Sequence, residues 1–325
     1  MVSKRYTAPE VGEAPRVLIV LYGAIGDVVM ATFAVSGLRA SFPSAEIGWT
    51  IDSRCAAVLE QPHLINNVYQ SQRNQLRSQG KPLAATIAHY RNALATRAMK
   101  AQVAFALQGH AKNLIAARIS GAREVFVMPS RDRLVRTMAK TLPEFPPDTP
   151  QRERYFVCLR QNFEIADVGR PIMPAVENPL GEEQPDVVIS VATNSPVRDY
   201  PLEKWTEVAA ALSADGHRVA FIGGPGTKSP DFPDGLDLIG RHSLRETMGV
   251  IAGAKLHLGG DTGTGHIAAA YGVPTVVIYG PTNELQYAPA GSSTLALREG
   301  QDPAAVSPER VIEAARQLLP SVVRV

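Results

Sequence analysis

The sequence predicts an α/β protein made of two parallel-sheet domains in tandem, and three observations carry that prediction. At 325 residues the chain is about twice the usual length of one domain. Short, continuously apolar, β-rich runs alternate with stretches of helical spacing, the pattern of parallel strands covered on both faces by helices. The alternation breaks once, between about residues 129 and 184, and then restarts.

The first half opens with RVLIVLYG (16–23), followed by Val28, Ala31, Thr32, Val35 and Leu38 at helical spacing and then AEIGWTID (45–52). QVAFALQG (102–109) and REVFVM (123–128) continue the rhythm. Residues 17–35 have roughly the length of a membrane span, but Asp27 and two glycines lie within them. A carboxylate at mid-bilayer costs roughly 3 kcal/mol, so a buried strand, a turn and a helix are expected instead. The break holds TLPEFPPDTP, the amphipathic run QRERYFVCLRQNFEIADV, and GRPIMPAVENPLGEEQP, whose Pro, Gly and acid content marks it as the interdomain linker.

The second half reads PDVVISVAT (185–193), a helix PLEKWTEVAAALSADG, HRVAFIGG (217–224), LDLIG (236–240), a helix SLRETMGVIAGA, KLHLGG (255–260), a glycine loop with its helix, and PTVVIYG (274–280). SPERVIEAARQLLP closes the chain as an amphipathic helix with a serine cap. The expected domains are residues 1–172, with 1–15 a loose tail, and 173–325. The last helix, about 307–319, is a candidate to pack back toward the N-terminal domain.

Composition narrows the function. Lys+Arg 33 against Asp+Glu 31 leaves a net charge of +2, so no global field favours nucleic acid, and an anionic partner must meet a local patch. The two cysteines, Cys55 and Cys158, have no metal-ligand spacing and read as packing residues of a protein in a reducing cytosol. The N-terminus has no apolar segment of the signal-peptide kind, so secretion is not expected.

Two glycine loops carry the chemistry. In KLHLGGDTGTGHIAAAYGVP the glycines permit close backbone approach, and HIAAAYG begins a small-residue helix whose first-turn N–H groups and dipole suit an anion. His266, poorly placed there as a cation, fits as a hydrogen-bond donor to a bound phosphate. The plainer alternative is that Asp261 or Thr262 only caps the helix. Gly263-Thr-Gly265-His-Ile-Ala268 also matches a dinucleotide fingerprint, but the next strand ends in Gly280-Pro281-Thr282 rather than in an acid for the ribose. GGPGTK (223–228) has the wrong order and spacing for a Walker loop. The second loop, YGAIGDVVMATFAV, places Asp27 at the start of a helix, as an N-cap or as a general base for an attacking hydroxyl.

These residues resemble glycosyltransferase family nine, the ADP-heptose:lipopolysaccharide heptosyltransferases of GT-B fold. The similarity runs through VLIVLYGAIGDVVMATFAVSGLRASFPSAEIGWTID, FALQGHAKNLIAARISGAREV and LIGRHSLRETMGVIAGAKLHLGGDTGTGHIAAAYGVPTVVIYGPTN. It implies two Rossmann-like domains facing across a cleft and an inverting transfer in which Asp27 deprotonates the acceptor hydroxyl. Thr262, Gly263 and His266 would hold the donor diphosphate, with Asp261 near sugar or ribose hydroxyls. Thr193, Asn194 and Arg198 fall where the family places small polar residues and a phosphate-binding lysine, and His242 where it would border the base. Lys112, Arg118 and Arg123, with Arg131, Arg133 and Arg136, would meet the acidic acceptor, for which solvated surface charge is the alternative. Ala106 and Leu107 replace an acid common before Gln-Gly, Thr264 and Gly265 replace the family's usual residues after Asp-Thr-Gly, and the usual serine pair is missing from YGAIGD. No Asp-x-Asp triplet occurs in the sequence, so a metal-independent transferase without cofactor is expected. Its partners would be a nucleotide sugar and a lipopolysaccharide core acceptor, met peripherally at the cytoplasmic face of the inner membrane. A different donor or acceptor, a nucleotide-sugar epimerase, and a non-catalytic nucleotide-sugar-binding module are the other readings.

Overall fold

The computed structural model describes residues 14–61 and 63–319, and the chain divides into two compact units between Pro174 and Ala175. All but the last two residues of the expected tail, 1–15, lie outside the described residues.

The first unit runs β1 (Arg16–Val20), α1 (Ile25–Ser41), β2 (Glu46–Asp52), β3 (Asn67–Ser71), α2 (Arg73–Ser78), α3 (Pro82–Ala95), β4 (Val103–Ala106), α4 (Ala111–Ile119), β5 (Glu124–Val127), α5 (Arg133–Met138), β6 (Lys140–Thr141) and α6 (Gln151–Leu159). Its six strands pair in the order β3-β2-β1-β4-β5-β6, every pairing parallel. β1 lies between β2 and β4 with Val17, Leu18, Ile19 and Val20 fully buried, which is why it reads as an unbroken apolar run. The edge strand β3, NVYQS, half-buries Asn67 and Tyr69, exposes Val68 and Gln70 and buries only Ser71, so it carries no such run and the sequence does not announce it.

The supposed linker region begins inside this unit. α6 packs on α1, and the chain after it is tied to the same helix: Ala166 N donates to Ser41 Oγ (3.2 Å) and Ile172 N to Ser36 Oγ (2.8 Å). Gly37 sits at that contact, where an added Cβ would lie 2.2 Å from the Ala166 carbonyl oxygen.

The second unit runs β7 (Val187–Ser190), α7 (Leu202–Ala214), β8 (Val219–Ile222), β9 (Leu236–Asp237), α8 (Leu244–Ala252), β10 (Leu256–Gly260), α9 (Gly263–Tyr271), β11 (Thr275–Tyr279), α10 (Glu284–Tyr287), β12 (Thr294–Arg298) and α11 (Pro308–Leu318). The order β12-β11-β10-β7-β8-β9 repeats that of the first unit, counted within the unit, and is again parallel throughout. The run LDLIG contributes only two residues of strand.

The core of this unit joins β-strand residues such as Ile189 and Leu258 to Trp205 of α7, whose ring meets Tyr200 edge-on at 4.8 Å. α11 starts on the expected cap, Ser307 Oγ accepting from Arg310 N. Val311, Ala314 and Ala315 are buried in the same core, and the helix packs on α7, β10 and β11. Its apolar face is thus covered within its own unit.

Cys55 and Cys158 are both free and buried. Burial pushes the Cys55 thiol up to about 12 and the Cys158 thiol higher still, as suits packing residues. Among the described residues no helix is long and apolar enough to cross a membrane.

Candidate active site

In a doubly wound sheet the ligand crevice lies beyond the strand C-termini where the order reverses, here between β1 and β4 in the first unit and between β7 and β10 in the second. The two glycine loops leave those strands.

After β1 the chain turns at Gly23, whose φ of +144° few side chains tolerate, and enters α1 at Ile25 with Ala24 at the N-cap. Asp27 is therefore the third residue of the helix, and the capping alternative fails. Its carboxylate is held from two other elements instead. Tyr155 Oη, from α6, donates to Oδ1 at 3.0 Å, and Gln108 Nε2, just beyond β4, donates to Oδ2 at 3.1 Å. Gln108 also donates to the Gly23 carbonyl, while Asn113 Nδ2 of α4 donates to its Oε1 at 3.2 Å. The carboxylate that opens α1 is thus oriented by a chain of amides from β4 and α4 and by one buried phenol.

Lys112, the second residue of α4, lies at this same edge. Burial, then Arg73 and Arg77, pull its ammonium below its ordinary pKa. Its carbonyl lies 3.4 Å from Nε2 of the buried His89, whose ring packs on Tyr22 at 4.6 Å; Tyr22 Oη in turn donates to Asn92 Oδ1 at 3.3 Å. Arg118 and Arg123 are elsewhere. Arg118 is in the last turn of α4, donating to the Met138 carbonyl, and Arg123 immediately precedes β5, so both stand at the N-terminal edge of the sheet. The structure does not group them with Asp27, because α4 carries the chain from one edge of the sheet to the other. Arg131 and Arg133 return to the C-terminal edge after β5.

In the second unit β10 ends in Gly259 and Gly260. An added Cβ on Gly260 would stand 2.9 Å from Thr193 Cγ2 and 3.1 Å from the Arg198 carbonyl, so glycine lets the 193–198 loop lie against the strand end. That loop is self-braced. Thr193 N donates to Asp199 Oδ1 (2.7 Å), and Thr193 Oγ1 donates to the Ser195 carbonyl (2.7 Å).

Arg198 binds Asp261 through Nη1 (2.8 Å) and Asn194 Oδ1 through Nη2. Asp261 is therefore an ion-pair partner in this structure, not a helix cap. Thr262 occupies the N-cap position of α9, but its hydroxyl bonds to Thr264 Oγ1 (2.7 Å) and not to the helix amides. The capping alternative fails for both residues, and the amides from Gly263 onward begin the helix with no side-chain cap.

His266 lies at the end of the first turn, buried, with Nδ1 lacking a partner among the described residues. Burial lowers its pKa to about 4, against a smaller upward pull from Asp261, so near neutrality the ring is uncharged and relieves the conflict with the helix dipole. His257 of β10, fully buried beneath Gly259 and Gly265, is driven down to about 3 by burial. His242 precedes the capping box of α8, formed by Ser243 and Glu246, and is half-buried there.

Comparison with known proteins decides the family. The model of glycosyltransferase family 9 (heptosyltransferase) matches residues 89–313. The chain belongs to glycosyltransferase family 9. Lipopolysaccharide heptosyltransferase 1 of Salmonella typhimurium is 30% identical over 105 residues, covering 30% of this chain and 33% of that protein. The chain thus aligns with about a third of the length of this curated relative. E. coli heptosyltransferase WaaC, solved with ADP, has the same fold at a TM-score of 0.77 and 19% identity, covering 93% of this chain and 99% of that one. A family 9 glycosyltransferase from Veillonella parvula DSM 2008 gives a TM-score of 0.76 at 19% identity, covering 94% and 97%. The two-unit α/β architecture is that of the GT-B fold expected from the family resemblance.

Four residues near Asp27 or Lys112 were not singled out from the sequence, and for one of them, Gln108, a signal was present. Tyr155 lies in the amphipathic run and nothing in its neighbours points to Asp27, whereas Gln108 stands in the QG of the second block, a signal that could have found it. Arg73 and Arg77 follow the edge strand that gave no strand signal.

Proposed function

We propose that this family 9 member transfers a heptose from ADP-heptose to a lipopolysaccharide inner-core acceptor, with inversion and without a metal, at the cytoplasmic face of the inner membrane. The observation that carries the reading is the Asp27 carboxylate, held by Tyr155 and Gln108 beyond the end of β1, where a ligand of this fold belongs. A carboxylate fixed there takes the proton of an acceptor hydroxyl as its oxygen attacks the anomeric carbon, and the nucleotide diphosphate leaves from the opposite face.

The leaving charge is met by the uncapped first turn of α9, by neutral His266 as a donor and by Arg198. On donor binding the Arg198–Asp261 pair exchanges partners, the guanidinium turning to phosphate oxygens and the carboxylate to sugar or ribose hydroxyls. Thr193 and Asn194 shape that loop, and Lys112 with Arg73 and Arg77 meets acidic groups of the acceptor.

The test is Asp27→Ala, with ADP-heptose binding and transfer measured separately. Transfer falls by roughly 10² to 10⁴ while donor affinity stays near wild type. Unchanged transfer would remove Asp27 from the reaction. Incubation with donor alone separates transfer from epimerisation, since only an epimerase turns over without acceptor. Full activity in excess chelator supports metal independence; loss restored by Mg²⁺ refutes it.

A further inference from the structure

Charge along the chain is far less even than its total. Residues 61–123 contain nine of the 33 Lys+Arg and none of the 31 Asp+Glu, which leaves 24 cations against 31 acids elsewhere. That acid-free stretch builds β3, α2, α3, β4 and α4.

Its outermost helix is apolar on both sides. α3 buries Ala85, His89, Asn92 and Ala93 inward, yet Leu83, Ile87 and Leu94 are 73%, 50% and 50% exposed. At 100° per residue these three fall within a stripe about 40° wide, opposite the buried face. Cations ring the stripe: Arg77 and Lys81 at its start, Arg91 beside it, Arg97 and Lys100 at its end, all exposed.

We infer that the outer face of α3 docks on an anionic phospholipid bilayer, with Leu83, Ile87 and Leu94 entering the headgroup–acyl boundary and the surrounding arginines and lysines meeting lipid phosphates. An exposed apolar stripe flanked by cations and free of acid is the pattern of a helix that lies in a membrane interface. A second copy of the same face is disfavoured, because a two-fold contact would set one cationic rim against another. The inference rests on the proposed reading only in that an acceptor held in a membrane gives this docking its use; the face itself is independent of Asp27 and of the donor loops.

The test is co-sedimentation of the full-length protein with vesicles of phosphatidylcholine alone and of phosphatidylcholine mixed with phosphatidylglycerol. Binding is expected to the mixed vesicles, weak or absent on the neutral ones, and reversed by high salt. The double variant Ile87→Ser with Leu94→Ser should weaken partitioning about tenfold or more. Arg91→Gln and Arg97→Gln should each cost about fivefold. All should keep the wild-type melting temperature and transfer to a water-soluble, delipidated acceptor fragment.

Equal binding to both vesicle types, no binding, or variants that partition like wild type would overturn the inference. So would a wild-type dimer that the Ile87/Leu94 variant dissolves, which would assign the face to a second copy. Intact vesicle binding with no transfer to the soluble acceptor would instead strike the proposed reaction and leave the docking face standing.

Discussion

The hydroxyl of Tyr155 donates to Oδ1 of Asp27 at 3.0 Å, joining two residues 128 positions apart in the sequence. One helix supplies the carboxylate and another, packed against it, fixes its direction. Tyr155→Phe keeps the buried ring and removes only the donor. We expect kcat to fall roughly fivefold with the KM for donor unchanged, the signature of a positioning residue whose hydrogen bond is worth about 1 kcal/mol. Steady-state kinetics with donor and acceptor varied in turn check this, and an unchanged kcat would make the contact purely structural.

Arg198 engages Asp261 and Asn194 with separate nitrogens, a fork that lysine lacks. Arg198→Ala should weaken ADP-heptose binding by about tenfold or more, and Arg198→Lys should fall between alanine and wild type. Calorimetric titration of donor reads both; wild-type affinity in the alanine variant would take Arg198 off the diphosphate.

His257 and His266 are buried with pKa values lowered to about 3 and about 4. The unfolded chain takes up these protons near pH 6.5, the folded one not until pH is close to 4 or below, so between those limits protonation favours the unfolded chain. Stability should therefore be at its fullest above pH 6.5 and decline as pH falls toward 4, by about 1 kcal/mol per unit for each histidine. Urea unfolding across that range should show a shallower decline for His257→Gln than for wild type.

Gly37 faces the Ala166 carbonyl with no room for a Cβ. Gly37→Ala should destabilise the protein by about 1–3 kcal/mol as α1 and the chain after α6 are pushed apart. Because Tyr155 rides on α6, transfer should also drop more than donor binding does. Denaturant melts and the transfer assay together test this.

Much of the architecture was written locally. β1, β4, β7, β8, β10 and β11 are buried on both faces, so their apolar runs are continuous and visible. β3 and β12 are edge strands with partly exposed positions, and β6 and β9 are two residues each, too short to leave a pattern. Both glycine loops were legible because strand, turn and helix follow one another in sequence. What completes them was not. Tyr155 reaches Asp27 only through the packing of α6 on α1, and the pairing of Arg198 with Asp261 spans 63 positions. Arg118 and Arg123 show the converse: near in sequence to Lys112, they are set at the opposite edge of the sheet by the length of α4.

Each sheet draws all its strands from one side of the Pro174–Ala175 boundary, in the same spatial order. Among the described residues, no hydrogen-bonded ladder has to be broken to separate the half that carries Asp27 from the half that carries the glycine loop at 259–266. The chain is therefore divisible at that point in a way a single interleaved sheet is not. On the proposed reading, a chimera joined there would be expected to inherit its acceptor from one parent and its sugar donor from the other, so that new pairings of the two can arise by exchanging halves without redesigning either.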